Sequence, residues 1–231
     1  MSLRQLFHQP KLAIHKTVEN QQNKKLRHVA IAGNIGAGKT TLTTQLGQHF
    51  GWDIFYEDVD HNPYLDDFYE DMRRWSFNLQ VYFLNSRFDQ AKKIQTGSQV
   101  VIQDRTIYED ANIFAPNLYE MGLMSPRDFE NYTTLFKLMT SFLAPPDLLI
   151  YLRASTDTLL NQIKRRGRAY ETNIRPEYLE NLNQYYETWI NNYTAGKLLI
   201  ININDINYAD NPEHLQAVID QIKQELHGFE L

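Results

Sequence analysis

The stretch HVAIAGNIGAGKTTL, residues 28–42, constrains this chain more than any other. A short apolar run enters a loop with three glycines and leaves on a lysine and two threonines. Gly33, Asn34, Ile35, Gly36, Ala37, Gly38, Lys39 and Thr40 satisfy G-x-x-x-x-G-K-[ST], between a buried strand and a helix, which is the context the pattern requires. Glycines permit the turn and let backbone N–H groups face phosphate oxygens. The helix N-terminus adds about half a unit of positive charge. Lys39 is placed to reach the β- and γ-phosphates, and the Thr40 hydroxyl to ligate Mg²⁺.

Beyond this loop, short apolar runs alternate with long amphipathic ones. Strands are expected at 28–32, 54–57, 100–104, 148–152 and 198–203. Helices are expected at 39–50, 72–94, 109–121, 125–142, 156–166, 176–193 and 212–226. Ser125-Pro126 and Asn211-Pro212 each place a capping residue before a proline at the first helical position. Strand and helix in alternation imply a five-stranded parallel sheet covered on both faces, whose strands read as unbroken apolar runs, as LLIYL and LLIINI do. Residues 27–231 are expected to form a single domain, preceded by a polar tail over 1–26.

Composition removes several function classes. The net charge of −5 argues against a nucleic-acid polymer as main ligand. With no cysteine there is no disulfide, thiol catalysis or cysteine-held metal, which fits a reducing compartment such as the cytoplasm. No run of about 18 apolar residues occurs, so no membrane span is expected, and the N-terminus lacks the apolar core of a secretory signal.

In open parallel sheets, ligands sit beyond the carboxyl ends of the strands. DIFYED ends on Glu57 and Asp58, and VVIQDR on Asp104 and Arg105. A carboxylate there can accept a proton from an attacking hydroxyl or hold Mg²⁺, and an arginine can balance the charge on a moving phosphoryl group. Glu57 and Asp58 compete for the base role, since adjacent strand residues point to opposite faces.

GNIGAGKTT, YED, FY followed by RRWSFNLQVYFLNSR, DRTIYEDANIFAPNLYE and RRGRAYE occur in an order that resembles the deoxyribonucleoside kinase family, over about residues 29–202. NPYLDDFYED further resembles bacterial members, deoxyadenosine kinases above all. The resemblance implies a P-loop kinase fold with an Arg-rich lid at about 164–175, ATP and Mg²⁺ as donor and cofactor, and a deoxyribonucleoside as acceptor. It implies ATP contacts along 33–41, Thr41 included, and from Arg166 and Arg168 on either side of a Gly167 hinge. Glu57 falls on the general base and Arg105 on the arginine that orients the 5′-hydroxyl and γ-phosphate. Asp104 falls near Mg²⁺, where its short side chain calls for a bridging water. Tyr69 and Glu171 match the pair that holds the sugar 3′-hydroxyl. Gln80, Arg87 and Asp110 match base-reading positions, Phe114 matches a flanking aromatic, and Trp75 lies on the same helix as Gln80.

The Arg–Asp combination resembles purine and deoxycytidine kinases, so deoxyadenosine is favoured, with deoxyguanosine or deoxycytidine as secondary substrates. Family members are usually dimers, and Ile113, Leu135, Leu138 and Phe142 are candidates either for such a face or for the core. DINYADNPE, after the fifth strand, is expected to lie against the donor adenine. The rival readings are another P-loop kinase of small molecules, such as a nucleoside monophosphate kinase, and a non-catalytic structural relative. A GTPase is disfavoured because no N-K-x-D motif occurs.

Overall fold

A computed structural model describes residues 24–59, 61–168, 171 and 174–230. The main sheet has five parallel strands: β1 (His28–Gly33), β2 (Asp53–Phe55), β3 (Val101–Asp104), β4 (Leu148–Arg153) and β5 (Lys197–Asn202), in spatial order β2-β3-β1-β4-β5. β1 lies at the centre, and every residue of its HVAIAG run is buried.

Alternation along the central strands splits the core. Val29 and Ile31 of β1, with Leu148, Ile150 and Leu152 of β4, pack against α1 (Lys39–Phe50), α7 (Thr156–Arg166) and α9 (Pro212–Glu225). Ala30, Ala32, Leu149 and Tyr151 point the other way, against α8 (Pro176–Asn191). The sheet is therefore covered on both faces, as its apolar strands require. A third cluster builds a helical block from α2 (Leu65–Glu70), α3 (Met72–Thr96), α4 (Ile107–Glu109), α5 (Ala115–Glu120) and α6 (Pro126–Thr140).

The expected caps form: Ser125 Oγ accepts from Asp128 N at 3.1 Å, and Asn211 Oδ1 from Glu213 N at 2.9 Å. Several boundaries differ from expectation. β2 stops at Phe55, because this edge strand has only β3 to pair with and its last register pair is Phe55 with Gln103. Glu57 thus lies past the strand rather than within it. The helix expected at 109–121 starts at Ile107 behind a Thr106/Glu109 capping box and contains a π turn at Asp110–Phe114, closed by Ala115 N on Asp110 O. α2 has no counterpart in the sequence reading; six residues carry little helical signal, and burial of Leu65 and Phe68 holds it.

Most of the polar segment 1–26 lies outside the described residues. Its end belongs to the fold: Lys24–Lys25 pair in parallel with Phe229–Glu230, and Leu26 is fully buried. Ile113 is core, whereas Leu135, Leu138 and Phe142 are exposed. No helix among the described residues is long and apolar enough to cross a membrane.

Candidate active site

The carboxyl ends of β1, β2 and β3 open on one cavity of about 660 Å³. Gly36, Gly38, Lys39, Thr40 and Thr41 line it, and so do Glu57, Asp104 and Arg105. Tyr69, Gln80, Asp110, Phe114, Arg166, Arg168 and Glu171 line the same space. Residues from six separate segments therefore share one hollow with the phosphate loop.

The loop fits tightly against its neighbours. At Gly36 (φ +84°) a Cβ would stand 2.7 Å from Ile163 Cγ1 and 2.9 Å from Leu159 O of α7. At Gly38 (φ +78°) it would collide with the Tyr208 hydroxyl, which bonds Ala37 O and Gly38 O at 3.1 Å each. Asn34 turns its side chain to α8, with Nδ2 donating to Leu179 O at 2.9 Å and Asn183 Oδ1 at 2.8 Å. Its carbonyl accepts from Lys39 Nζ at 3.0 Å. Burial, with Arg105 nearby, lowers the Lys39 ammonium to about 8 against the pull of Asp104, Glu57 and Glu109. Gly33, Asn34 and Ala37 are buried and do not line the cavity.

Thr40 Oγ1 donates to Asp104 Oδ2 at 2.5 Å. The other Asp104 oxygen is buried with no hydrogen-bond partner, and burial raises this carboxyl's pKa. A hydroxyl oxygen beside a carboxylate with a spare oxygen is a donor set suited to Mg²⁺. Among the described residues no cluster of three His, Cys, Asp or Glu side chains could hold a metal unaided, so an ion here would need ligands from outside the protein, water included, to complete its shell.

Glu57 and Asp58 diverge, as required if only one is to serve. Asp58 Oδ2 accepts from the Tyr82 hydroxyl at 2.9 Å. Glu57 Oε1 accepts from Arg87 Nη2 at 2.6 Å and stands 3.2 Å from Arg105 Nε. Burial alone would raise the Glu57 carboxyl, but Arg105, Arg87, Lys39 and Arg168 hold it down at about 2. Arg105 is the one non-glycine among the described residues with positive φ, at 70°. Its N–H donates to Ile31 O at 3.0 Å, and its guanidinium stacks 4.5 Å over Phe114. That backbone turn is what lifts the side chain off the end of β3 into the cavity.

Arg87 is almost wholly buried behind the cavity wall, with Nη1 2.8 Å from Asp110 Oδ2. The two atoms are close but poorly aligned for a hydrogen bond, and both remain unsatisfied, as does Gln80 Oε1. Burial pushes Asp110 up to about 7, with Arg87 and Arg105 opposing. The π turn brings Asp110 and Phe114 to one wall. Trp75 is not part of that wall; it packs on Tyr64 and under Arg74.

Arg166 grips Glu171 through Nε to Oε2 at 3.0 Å and Nη2 to Oε1 at 2.5 Å, and Arg168 Nη1 stands 3.8 Å from the same carboxylate. Residues 169, 170, 172 and 173 of the expected lid lie outside the described residues. The DINYADNPE segment borders a second cavity, shared with Gly38, Thr41, Gln162 and Arg166. Sequence reading missed three residues. Tyr208 caps the phosphate loop, Tyr178 lines the main cavity, and Glu109 is fully buried among loop and strand ends. A tyrosine at a helix or loop start carries no sequence signal for such a role. Glu109 had one, the T-x-x-E spacing of a capping box.

The family model for deoxynucleoside kinases matches residues 29–227. The chain is 40% identical over 201 residues to the deoxyadenosine/deoxycytidine kinase of Bacillus subtilis (strain 168), covering 86% of this chain and 93% of the relative. It is 42% identical over 202 residues to the deoxyadenosine kinase of Dictyostelium discoideum, covering 87% of this chain and 81% of the relative. The structure of deoxyadenosine kinase from M. mycoides with dCMP and a flexible dCDP bound matches with a TM-score of 0.76 at 30% identity, over 85% of this chain and 99% of that one. The same enzyme with dATP bound gives a TM-score of 0.75. Fold, phosphate loop and these likenesses agree, and the chain is a phosphotransferase that belongs to the deoxynucleoside kinase family.

Proposed function

We propose that this enzyme transfers the γ-phosphoryl group of ATP to the 5′-hydroxyl of a deoxyribonucleoside, deoxyadenosine before deoxyguanosine or deoxycytidine. The observation that carries the reading is that Glu57 shares one cavity with Lys39 and Thr40 of the phosphate loop. In the transfer, the 5′-oxygen forms a bond to the γ-phosphorus. The bond from phosphorus to the bridging oxygen breaks, and its electron pair leaves with ADP. The hydroxyl proton passes to Glu57. A carboxylate held at about 2 is a weak base. That is tolerable because the transition state is loose and asks more for positioning and charge balance than for early proton removal.

Lys39 and the loop N–H groups hold the phosphates. Arg105, with Arg166 and Arg168 from the lid, balances charge on the transferred group. Thr40 and Asp104 would hold Mg²⁺, which would supply positive charge to offset the negative charge that develops on the phosphates. Tyr69 and Glu171 receive the 3′-hydroxyl. Gln80 and Asp110, the latter backed by Arg87, face the base edge, with Phe114 beside it.

A nucleoside monophosphate kinase must also hold an acceptor phosphate. Here the lining near Gln80 includes Leu79, Phe83, Phe114 and Tyr178, which suits an uncharged nucleoside. The same reading carries a homodimer through α6 and the turn that follows it, where Leu135 and Leu138 of the helix and Phe142 of the turn are 40, 58 and 66% exposed. It also carries a cytoplasmic location, which the cysteine-free sequence suits.

The test is to incubate the protein with Mg-ATP and each natural deoxynucleoside, and to measure the monophosphate formed. Glu57→Gln should then lower turnover by about 10²–10⁴-fold, the usual worth of a general base. Parental turnover in that variant would move the role elsewhere.

A further inference from the structure

Glu109 is fully buried, lies outside the cavity lining, and has no part in the reaction described above. A buried carboxylate is costly unless its oxygens are engaged. Here both are. Oε2 accepts from Thr106 N at 2.8 Å. Oε1 accepts from the Tyr186 hydroxyl at 2.8 Å and from Gly33 N at 3.3 Å, and stands 4.0 Å from Arg105 Nη1.

Tyr186, fully buried on α8, completes the arrangement. Its oxygen accepts from Arg105 Nη1 at 3.1 Å and lies 2.7 Å from Gly33 O. Gly33 is the first residue of the phosphate loop, and Thr106 follows the positive-φ Arg105. One carboxylate and one phenol therefore tie the start of the loop to the Thr106 N–H and to the Arg105 guanidinium at the next strand end. A helix cap alone would need only the Thr106 contact; those to Gly33, Tyr186 and Arg105 go beyond capping.

We propose that Glu109 and Tyr186 form a positioning pair that fixes the Arg105 guanidinium relative to the phosphate loop for phosphoryl transfer. Arg105 has two carboxylates within ion-pair distance, Glu57 and Glu109. Glu57 is the one that takes up the substrate proton. Glu109 supplies the anchor that does not take part in that step, and it lies outside the cavity lining. The inference rests on the reading of Arg105 as a catalytic residue.

The test measures kcat, both KM values and Tm for Glu109→Gln, Tyr186→Phe, Arg105→Ala and the double variants with Arg105→Ala. Gln at 109 keeps an acceptor for Thr106 N, and Phe at 186 keeps the ring packing. Each single change should lower kcat by about 10²-fold, the scale of a misplacement near 1 Å, with KM values changed less than about threefold. Neither should cost anything further once Arg105 is gone. An unchanged kcat in Tyr186→Phe would overturn the inference, even if Glu109→Gln failed to fold. So would a loss that persists undiminished in the Arg105→Ala background, because that is the mark of a purely structural role. Full turnover by Arg105→Ala would instead remove the catalytic reading of Arg105, and the inference with it.

Discussion

Arg166 and Glu171 meet as a two-pronged fork, with the Nε–Nη2 edge of the guanidinium on both oxygens of the carboxylate. Bidentate pairs of this kind are the more directional and stronger ion pairs. The contact links a proposed phosphate-clamping group to a proposed sugar-holding group across the turn that begins at Gly167. A third exposed on one side and nearly buried on the other, the pair stands at the cavity rim.

If Glu171 holds the 3′-hydroxyl, its loss should be felt as lost discrimination. Glu171→Gln is expected to reduce the preference for a 2′-deoxynucleoside over its 2′,3′-dideoxy analogue by about 10-fold or more. A site built to hydrogen-bond a hydroxyl rejects analogues that lack it because buried polar groups would be left unpaired. The ratio of the two kcat/KM values is the readout, and an unchanged ratio would free Glu171 from the sugar role.

Asp110→Ala should weaken base selection. The carboxylate forms an ion pair with Arg87, 2.8 Å from Nη1, and Arg87 in turn reaches Glu57. Without it, kcat/KM for deoxyadenosine should fall by about 10–100-fold, on the scale of one lost charged contact of about 1.5–3 kcal/mol. The ratio between deoxyadenosine and deoxycytidine should shift as well. A uniform loss across all nucleosides would assign Asp110 to support of Glu57 rather than to base reading.

Gly38→Ala should raise KM for ATP by about 10-fold or more, since the backbone there has φ +78° and the new Cβ meets the Tyr208 hydroxyl. Adding Tyr208→Phe removes that oxygen and should recover part of the loss. The residue left over reports the backbone strain and the ring, whose Cζ would stand 3.3 Å away. Strict additivity of the two changes would show that the hydroxyl is not what excludes a side chain at 38.

His28 gives a stability prediction remote from the chemistry. Burial lowers its ring to about 4, against the Gln103 bond at 2.9 Å and the nearby Asp147, which raise it. The folded pKa lies below the unfolded value near 6.5, so the unfolded chain binds the extra proton. Stability is then complete above about pH 6.5 and falls as pH drops toward 4, by about 2 kcal/mol at pH 5. Urea midpoints at pH 7 and pH 5 should converge in His28→Asn relative to the parent. An equal acid shift in both proteins would place the effect on other groups.

Leu138→Asp with Phe142→Asp should yield a monomer in light scattering if α6 forms the proposed dimer face. An unchanged molar mass would remove that face from the assembly. The two side chains are too exposed for the change to reach the core.

Some of this molecule was legible in the sequence because the signal is local. The spacing of Gly33, Gly38, Lys39 and Thr40 dictates a strand, a turn and a helix, and α1 and α7 run over the very residues their patterns imply. Apolar runs such as LLIYL determine a central parallel strand, since only a sheet covered on both faces buries every residue. The family resemblance, too, was carried by short motifs in order.

Tertiary structure decided what lies between segments. Nothing in YED tells Glu57 from Asp58; Arg87 and Arg105, 30 and 48 positions away, hold the first, and Tyr82 takes the second. The π turn at Asp110–Phe114 and the short helix that carries Tyr69 depend on packing that no local propensity encodes. Glu109 carries the T-x-x-E spacing of a cap, but its contacts to Gly33, Tyr186 and Arg105 come from segments that the spacing does not reveal. A side chain's role is set by which charges share its low-dielectric surroundings, and those partners come together only when the chain has closed on itself.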